Sequence, residues 1–277
     1  MRLIGVRRGD VTYVCESADD GVYPIAPAES FFREPSRWLE GPRASEPIGE
    51  VQRSPAVWPG ARILCVGLNY RAHAAEGGFA PPDYPAIFGR WTRSLITDGD
   101  AIPALDEVLD WEGELATVIG RPMADVDEQA ALEGVLGYAA FNDVSARTFQ
   151  RHTHQWTPGK NMDRSGVIGP IVTADEVGDP RDGLALQTRL NGELMQSATT
   201  ADMIFSVGQI ISYLSRIMTL YPGDVIATGT PQGVGYARTP PILMKAGDII
   251  EVTIEKVGTI RNPIVDRSER ERLSPLV

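Results

Sequence analysis

Glu112 and Glu114 are separated by a single glycine and lead into Leu115, Ala116, Thr117, Val118, Ile119 and Gly120, a run that reads as a short strand. Residues i and i+2 of a strand project from the same face, so the two carboxylates point together. Two anions side by side on an apolar strand repel each other and lose hydration. A cation, a proton or a Lys/Arg partner is needed to hold them. A hard divalent ion such as Mg²⁺ meets that need with oxygen ligands. Asp143 is the candidate third carboxylate. It follows the strand-like run Val135, Leu136, Gly137, Tyr138, Ala139, Ala140, Phe141 and precedes Ser145, Ala146 and Arg147, a predicted helix start. Capping that next turn is its competing role.

A second pair has the spacing for proton transfer. His73 and Glu76 stand at i and i+3 of a predicted helix, on one face. Glu76 can hold the imidazole in one tautomer and stabilise its charged form, although the spacing alone also fits an ordinary exposed pair. Lys160 follows Pro158-Gly159 but fails the phosphate-loop pattern, because position 154 is His and Asn161 replaces the Ser/Thr. His152 and His154 lack the third ligand that a softer metal requires and read as a polar loop. The segment 228–233 follows a strand and offers backbone N–H groups and the Thr230 hydroxyl to a carboxylate; a tight structural turn is the alternative. Ser145 and Ser165 lack a nucleophile-elbow pattern. Arg71, Arg90, Arg93, Arg147, Arg151 and Lys160 lie in or beside these stretches, and one or two of them suffice to hold a substrate's distal carboxylate.

The elements that position these groups are mostly strands. Val6 and Val11 flank Gly9-Asp10 in a predicted hairpin, and 42–59 reads as a linker. From Ile63 the texture changes: 63–66 reads as a buried strand, Asn69 as the cap of a helix running to Glu76, and Gly77-Gly78 as its stop. Asn191-Gly192 between two alternating runs is a type I′ hairpin signal. Met203, Ile204, Val207, Ile210, Ile211 and Leu214 are spaced for one helix face, with Thr199 and Asp202 as its capping pair. Ile250, Val252 and Ile254 alternate with polar residues, as in a strand wet on one side. The expected class is α+β, mostly β, with a few short helices, a small N-terminal domain at 1–55 and a catalytic domain at 56–277.

Composition narrows the function. The chain has 277 residues, 43% of them hydrophobic, enough for one sizeable core. A net charge of −11 argues against a general nucleic-acid partner. Cys15 and Cys65 give neither a disulfide framework nor a zinc spacing. With no signal-peptide pattern and no apolar run of membrane-spanning length, the expectation is a cytoplasmic protein without a membrane partner.

The motifs also occur in a recognisable order. They are Gly67-Leu68-Asn69-Tyr70 with His73 and Glu76, Asp110-Trp111-Glu112-Gly113-Glu114-Leu115, Gly137-Tyr138 through Asn142-Asp143-Val144-Ser145-Ala146-Arg147 and Gln150, Gly159-Lys160, Asn191-Gly192-Glu193, Pro222-Gly223-Asp224-Val225-Ile226 and Thr228-Gly229-Thr230-Pro231. Over about residues 60–265 this resembles the short members of the fumarylacetoacetate hydrolase family. Each motif is weak alone; the shared order is what carries the resemblance. It implies a mixed β-roll/barrel catalytic domain and an Mg²⁺ or Mn²⁺ ion on Glu112, Glu114 and Asp143. It also implies that His73 and Glu76 activate water from a lid helix and that Lys160 faces the substrate. Gln150 and Thr230 are expected substrate contacts on the same grounds, and Arg71 is added for its charge. The implied reaction is hydrolysis of a C–C bond in a small anionic 1,3-dioxo or 2-oxo acid, acylpyruvate-like or a diketo sugar acid. The alternative is an isomerase, dehydratase or oxaloacetate-type decarboxylase working through an enolate that the metal stabilises. A homodimer is implied as well. The chain departs from the family pattern at 161–165, at Arg90, where a lysine often stands, and in the loop of His152 and His154. These departures bear on the substrate more than on the metal ligands.

Overall fold

The computed structural model describes residues 1–42 and 44–273. The central sheet is built from β1 (Arg2–Arg8), β2 (Val11–Ala18), β3 (Gly21–Pro27), β4 (Ile63–Gly67), β5 (Ala86–Arg90), β6 (Gly113–Ile119), β7 (Val135–Asp143), β8 (Ile171–Thr173) and β9 (Val225–Ala227). Their spatial order is β3-β2-β1-β8-β7-β6-β9-β4-β5, with three short strands attached beside this path. A second sheet of five strands packs near it, made from Glu193–Thr199, Ala185–Leu190, Ile249–Ile254, Gly258–Val265 and Ile102–Pro103. The fold is mostly β, and the described strands form no closed barrel.

β6 is buried along its whole length, so nearly all its residues are apolar or small. Its alternation feeds two cores. Leu115 and Ile119 join a cluster with Leu186, Val252 and Ile264 of the second sheet. Ala116 and Val118 join another with Phe31, Phe32, Ile63 and Phe141. The sheet is thus covered on both faces along its middle strands.

The Gly9-Asp10 hairpin forms between β1 and β2, and Asn191 and Gly192 adopt the positive φ angles (52° and 84°) that a type I′ turn demands. β1 continues the central sheet through Leu3 opposite Ile171. The stretch read as a linker is more ordered than its composition suggests: Gln52–Ser54 is a short strand paired with β1. Among the described residues, no helix is long and apolar enough to cross a membrane.

Two expected caps are corrected. The helix on the Met203–Leu214 pattern runs only from Val207 to Ser215, and its capping box is Ser206 with Gln209. Thr199 caps a separate short turn, because Met203 is extended (ψ 139°) and interrupts the helical pattern. Asn69 does not cap the helix Arg71–Glu76, whose first turn has no side-chain cap. Its buried amide instead accepts from the Phe205 N–H at 2.8 Å and donates to the Phe205 and Thr228 carbonyls at 3.0 and 2.7 Å. Buried backbone groups of two distant segments take precedence over a helix end open to water.

Leu115 is fully buried in the central strand, whereas Leu194 is 44% exposed. Leu115→Ala is expected to cost about 3 kcal/mol in urea unfolding, by lost transfer energy plus a cavity. Leu194→Ala is expected to shift stability by roughly 0.5 kcal/mol or less.

Candidate metal centre and active site

β6 and β7 pair antiparallel with Gly113 opposite Asn142, and the Asp143 N–H donates to the Glu112 carbonyl at 2.9 Å. This register brings Glu112, Glu114 and Asp143 to one end of two neighbouring central strands. A carboxylate oxygen from each lies within 4.8 Å of the others, and all three side chains are buried. Period-2 alternation and strand register alone produce this convergence.

Two of the three carboxylates have basic partners. Asp143 Oδ1 accepts from Arg90 Nε at 2.9 Å and also from Arg90 Nη2, and Oδ2 accepts from Lys160 Nζ at 2.7 Å. Glu112 is held by Arg147 Nη1 and by Lys160 Nζ, each at 2.6 Å. Burial pushes the Glu112 carboxyl up, but Lys160 and then Arg147 outweigh it and lower its pKa to about 2. Asp143 and then Glu112 raise the Lys160 ammonium against its own burial. Arg147 is in turn anchored by Asp110, whose Oδ2 accepts from Nε at 2.9 Å.

Glu114 differs. Its one hydrogen bond among the described residues comes from the Gly229 N–H at 2.8 Å. Burial, followed by the charges of Asp143 and Glu112, raises its carboxyl well above the usual range. Asp110, Glu112, Glu114 and Asp143 face three basic side chains, Arg90, Arg147 and Lys160. The excess negative charge therefore falls on a buried carboxylate beside two others. Such a group calls for a proton, as its raised carboxyl shows, or for a further positive charge. Three converging carboxylate oxygens, with no imidazole or thiol in the group, suit a hard cation of the Mg²⁺ or Mn²⁺ kind.

Glu112 and Glu114 open onto a cavity of about 360 Å³, while Asp143 lies fully buried behind them. Glu112, Glu114, His73, Gln150, Lys160 and Thr230 line it, with Val66, Phe88, Trp156 and Tyr236 among its less polar walls. His73 is buried, its Nδ1 lies 3.2 Å from Glu76 Oε2, and Glu76 Oε1 accepts from the Gly233 N–H at 2.9 Å. Gln150 accepts from Arg147 Nη1 at 2.8 Å. Gly159 precedes Lys160 for a packing reason: a Cβ there would lie 2.5 Å from the Gln150 backbone nitrogen. Its lack of a side chain lets the Gln150 and Lys160 segments approach.

One expected substrate contact is corrected. Arg71 does not line this cavity; it is exposed beside Asp202, Met203 and Gln232 in a separate one. Residues two apart on a helix point about 200° apart, so Arg71 and His73 cannot serve the same side. Thr230 reaches the cavity, but its hydroxyl donates to the Gly113 carbonyl at 3.0 Å and accepts from Gln196 Nε2 at 2.8 Å. The donors of its loop go largely to the protein's own acids: Gly229 to Glu114, Gly233 to Glu76, Gly235 to Asp110. The spacing left Arg90 and Arg147 undistinguished among six basic candidates, and it gave Asp110 and Gln196 no role. Asp110 does lie within the Asp110–Leu115 motif, the one signal that could have marked it. His154 lines the cavity mouth, whereas His152 packs on Phe149.

Residues 62–265 match the family model described as the fumarylacetoacetate (FAA) hydrolase C-terminal region. The chain belongs to the fumarylacetoacetate hydrolase family. This family member is 40% identical, over 78% of its length and 74% of the relative's, to an oxaloacetate tautomerase of Bacillus subtilis. It superposes on a fumarylacetoacetate hydrolase from Exiguobacterium antarcticum with a TM-score of 0.81 at 34% identity, covering 96% of this chain and 100% of that one. A fumarylpyruvate hydrolase from Pseudomonas aeruginosa, solved with Mn²⁺ and pyruvate, gives 0.68 at 34% identity, covering 78% and 93%.

Glu114 supplies a test of the charge balance in this family member. Its raised carboxyl means that, with metal chelated, the contribution of Glu114 to stability is fully present at low pH. That contribution is then lost as pH rises past the ordinary Glu value of about 4.3 and through the raised one. Glu114→Gln removes that loss. In EDTA its urea-unfolding stability is expected to exceed wild type on the neutral side and to converge with it in acid. Its Mg²⁺ affinity, by calorimetric titration, is expected to fall by about ten-fold or more.

Proposed function

We propose that this protein is a divalent-metal-dependent hydrolase that cleaves a C–C bond in a small anionic 2-oxo acid of the acylpyruvate kind. The observation that carries this reading is His73, backed by Glu76, opening onto the same cavity as Glu112 and Glu114. Glu112, Glu114 and Asp143 would hold Mg²⁺ or Mn²⁺, which would supply Lewis acidity toward a 2-oxo carboxylate. With Glu76 accepting from the Nδ1–H, Nε2 of His73 is the basic nitrogen that takes a proton from water. The water oxygen bonds to the distal acyl carbon, the C–C bond breaks, and its electron pair goes to the carbon next to the 2-oxo group. Lys160 and Arg147 offset the charge that develops there, and Gln150 orients the substrate. Phe88 and Trp156, whose rings meet edge-on with centroids 5.6 Å apart, exclude bulk water.

A second reading is keto–enol isomerisation of a 2-oxo diacid. It is favoured by the 40% identity to an oxaloacetate tautomerase. His73 would then move a carbon-bound proton in place of one from water.

Pyruvate release from an acylpyruvate panel, followed by coupled reduction, separates the two. Hydrolysis with Mg²⁺ or Mn²⁺ and loss of rate in EDTA are expected; equal rates with and without chelator would sink the metal-dependent reading. His73→Ala is expected to lower pyruvate release by about 10²–10⁴-fold. A wild-type protein that speeds enol decay of oxaloacetate but releases no pyruvate belongs to the second reading.

A further inference from the structure

Among the described residues, one of the arginines and lysines that line the substrate-facing cavity has no acidic partner. Arg147 is committed to Asp110, Glu112 and Gln150, and Lys160 to Glu112 and Asp143. Arg151 lines the same cavity at its exposed lip and makes no ion pair among the described residues.

Arg151 is also held in place. Its guanidinium carbon lies 4.5 Å from the centroid of the Tyr236 ring, and that of Arg147 lies 4.4 Å from the same centroid. Tyr236 is fixed in turn by its backbone N–H, which donates to Asp110 Oδ2 at 3.3 Å. One aromatic ring therefore links the arginine that touches Glu112 to an arginine with a free fork. Stacking limits the freedom Arg151 would lose on binding an anion, and its planar donors match a carboxylate. His154 and Thr153 line the mouth beside it.

Resting on the reading of this cavity as a 2-oxo acid site, we propose that Arg151 is a specificity-determining residue and that the substrates carry a second carboxylate at the end remote from the 2-oxo group. The 2-oxo end sits at Glu112 and Glu114, the carbon chain runs along Val66, Phe88 and Trp156, and the distal carboxylate meets Arg151. The chemical class is a short 2-oxo diacid, and the loop 151–156 sets the preference for it.

Succinylpyruvate and butyrylpyruvate test this. They share length and differ by a terminal carboxylate in place of a methyl group, and one water splits each into pyruvate and the corresponding acid. Binding is measured by calorimetry on the Mg²⁺-loaded protein, alongside kcat and KM for pyruvate release. Wild type is expected to prefer succinylpyruvate by about ten-fold, in Kd and KM rather than kcat. Arg151→Gln is expected to erase that ratio and Arg151→Lys to restore part of it. Equal wild-type affinities, or a ratio unchanged in Arg151→Gln, overturn the inference while leaving hydrolysis standing. An Arg151-dependent binding ratio with no pyruvate released supports the inference and removes hydrolysis. Binding of neither probe overturns both.

Discussion

Buried negative charge is the constraint on which this architecture rests. Glu112, Glu114 and Asp143 end two strands at buried positions, where an unbalanced carboxylate costs several kcal/mol. Arg90, Arg147 and Lys160 come in from three other segments to meet them. The result is a network with little slack. Removing a base would strand an acid, and removing an acid would strand a base. Glu114 is the deliberate exception. Its backbone partner fixes its direction without neutralising it, and this leaves it to a proton or a hard cation.

The remaining structure holds this network still. The β6–β7 register sets two of the acids side by side, and the double-sided core locks that register, since a one-residue slip would turn Leu115 and Ala116 toward the wrong faces. Gln196 fixes the end of β6 by accepting from the Gly113 N–H at 3.0 Å and donating to Thr230. Asn69 joins the segments around Phe205 and Thr228 beside the helix that presents His73. Rigid supports of this kind are what a site needs if its groups are to meet a substrate without reorganising.

The sequence showed what depends on local periodicity. Alternation placed Glu112 and Glu114 together, the Asn191-Gly192 pair marked a hairpin, and i, i+3 spacing joined His73 to Glu76. It was silent where distant segments decide. Arg90 reaches Asp143 across 53 positions and Arg147 reaches Asp110 across 37, and nothing in their spacing separated them from Arg93. Asn69 had the composition of a cap, but burial gave it other partners. Arg71 had the right charge on the wrong side of its helix. The Thr230 loop had the right donors, and the protein's own carboxylates took them first.

The loop after β9 has a geometric consequence of its own. Its amides at Gly229, Gly233 and Gly235 are spent on Glu114, Glu76 and Asp110, so one short stretch sets the position of a candidate ligand, the partner of His73 and the anchor of Arg147. Such a stretch behaves like a comb whose teeth fit three slots at once. A single inserted or deleted residue would throw every tooth behind it out of step, whereas substitutions that keep the spacing would be tolerated. Over evolutionary time this loop should therefore hold its length even where its letters drift, and divergence between relatives should be sought in segments with looser duties, such as the rim that carries Arg151 and His154.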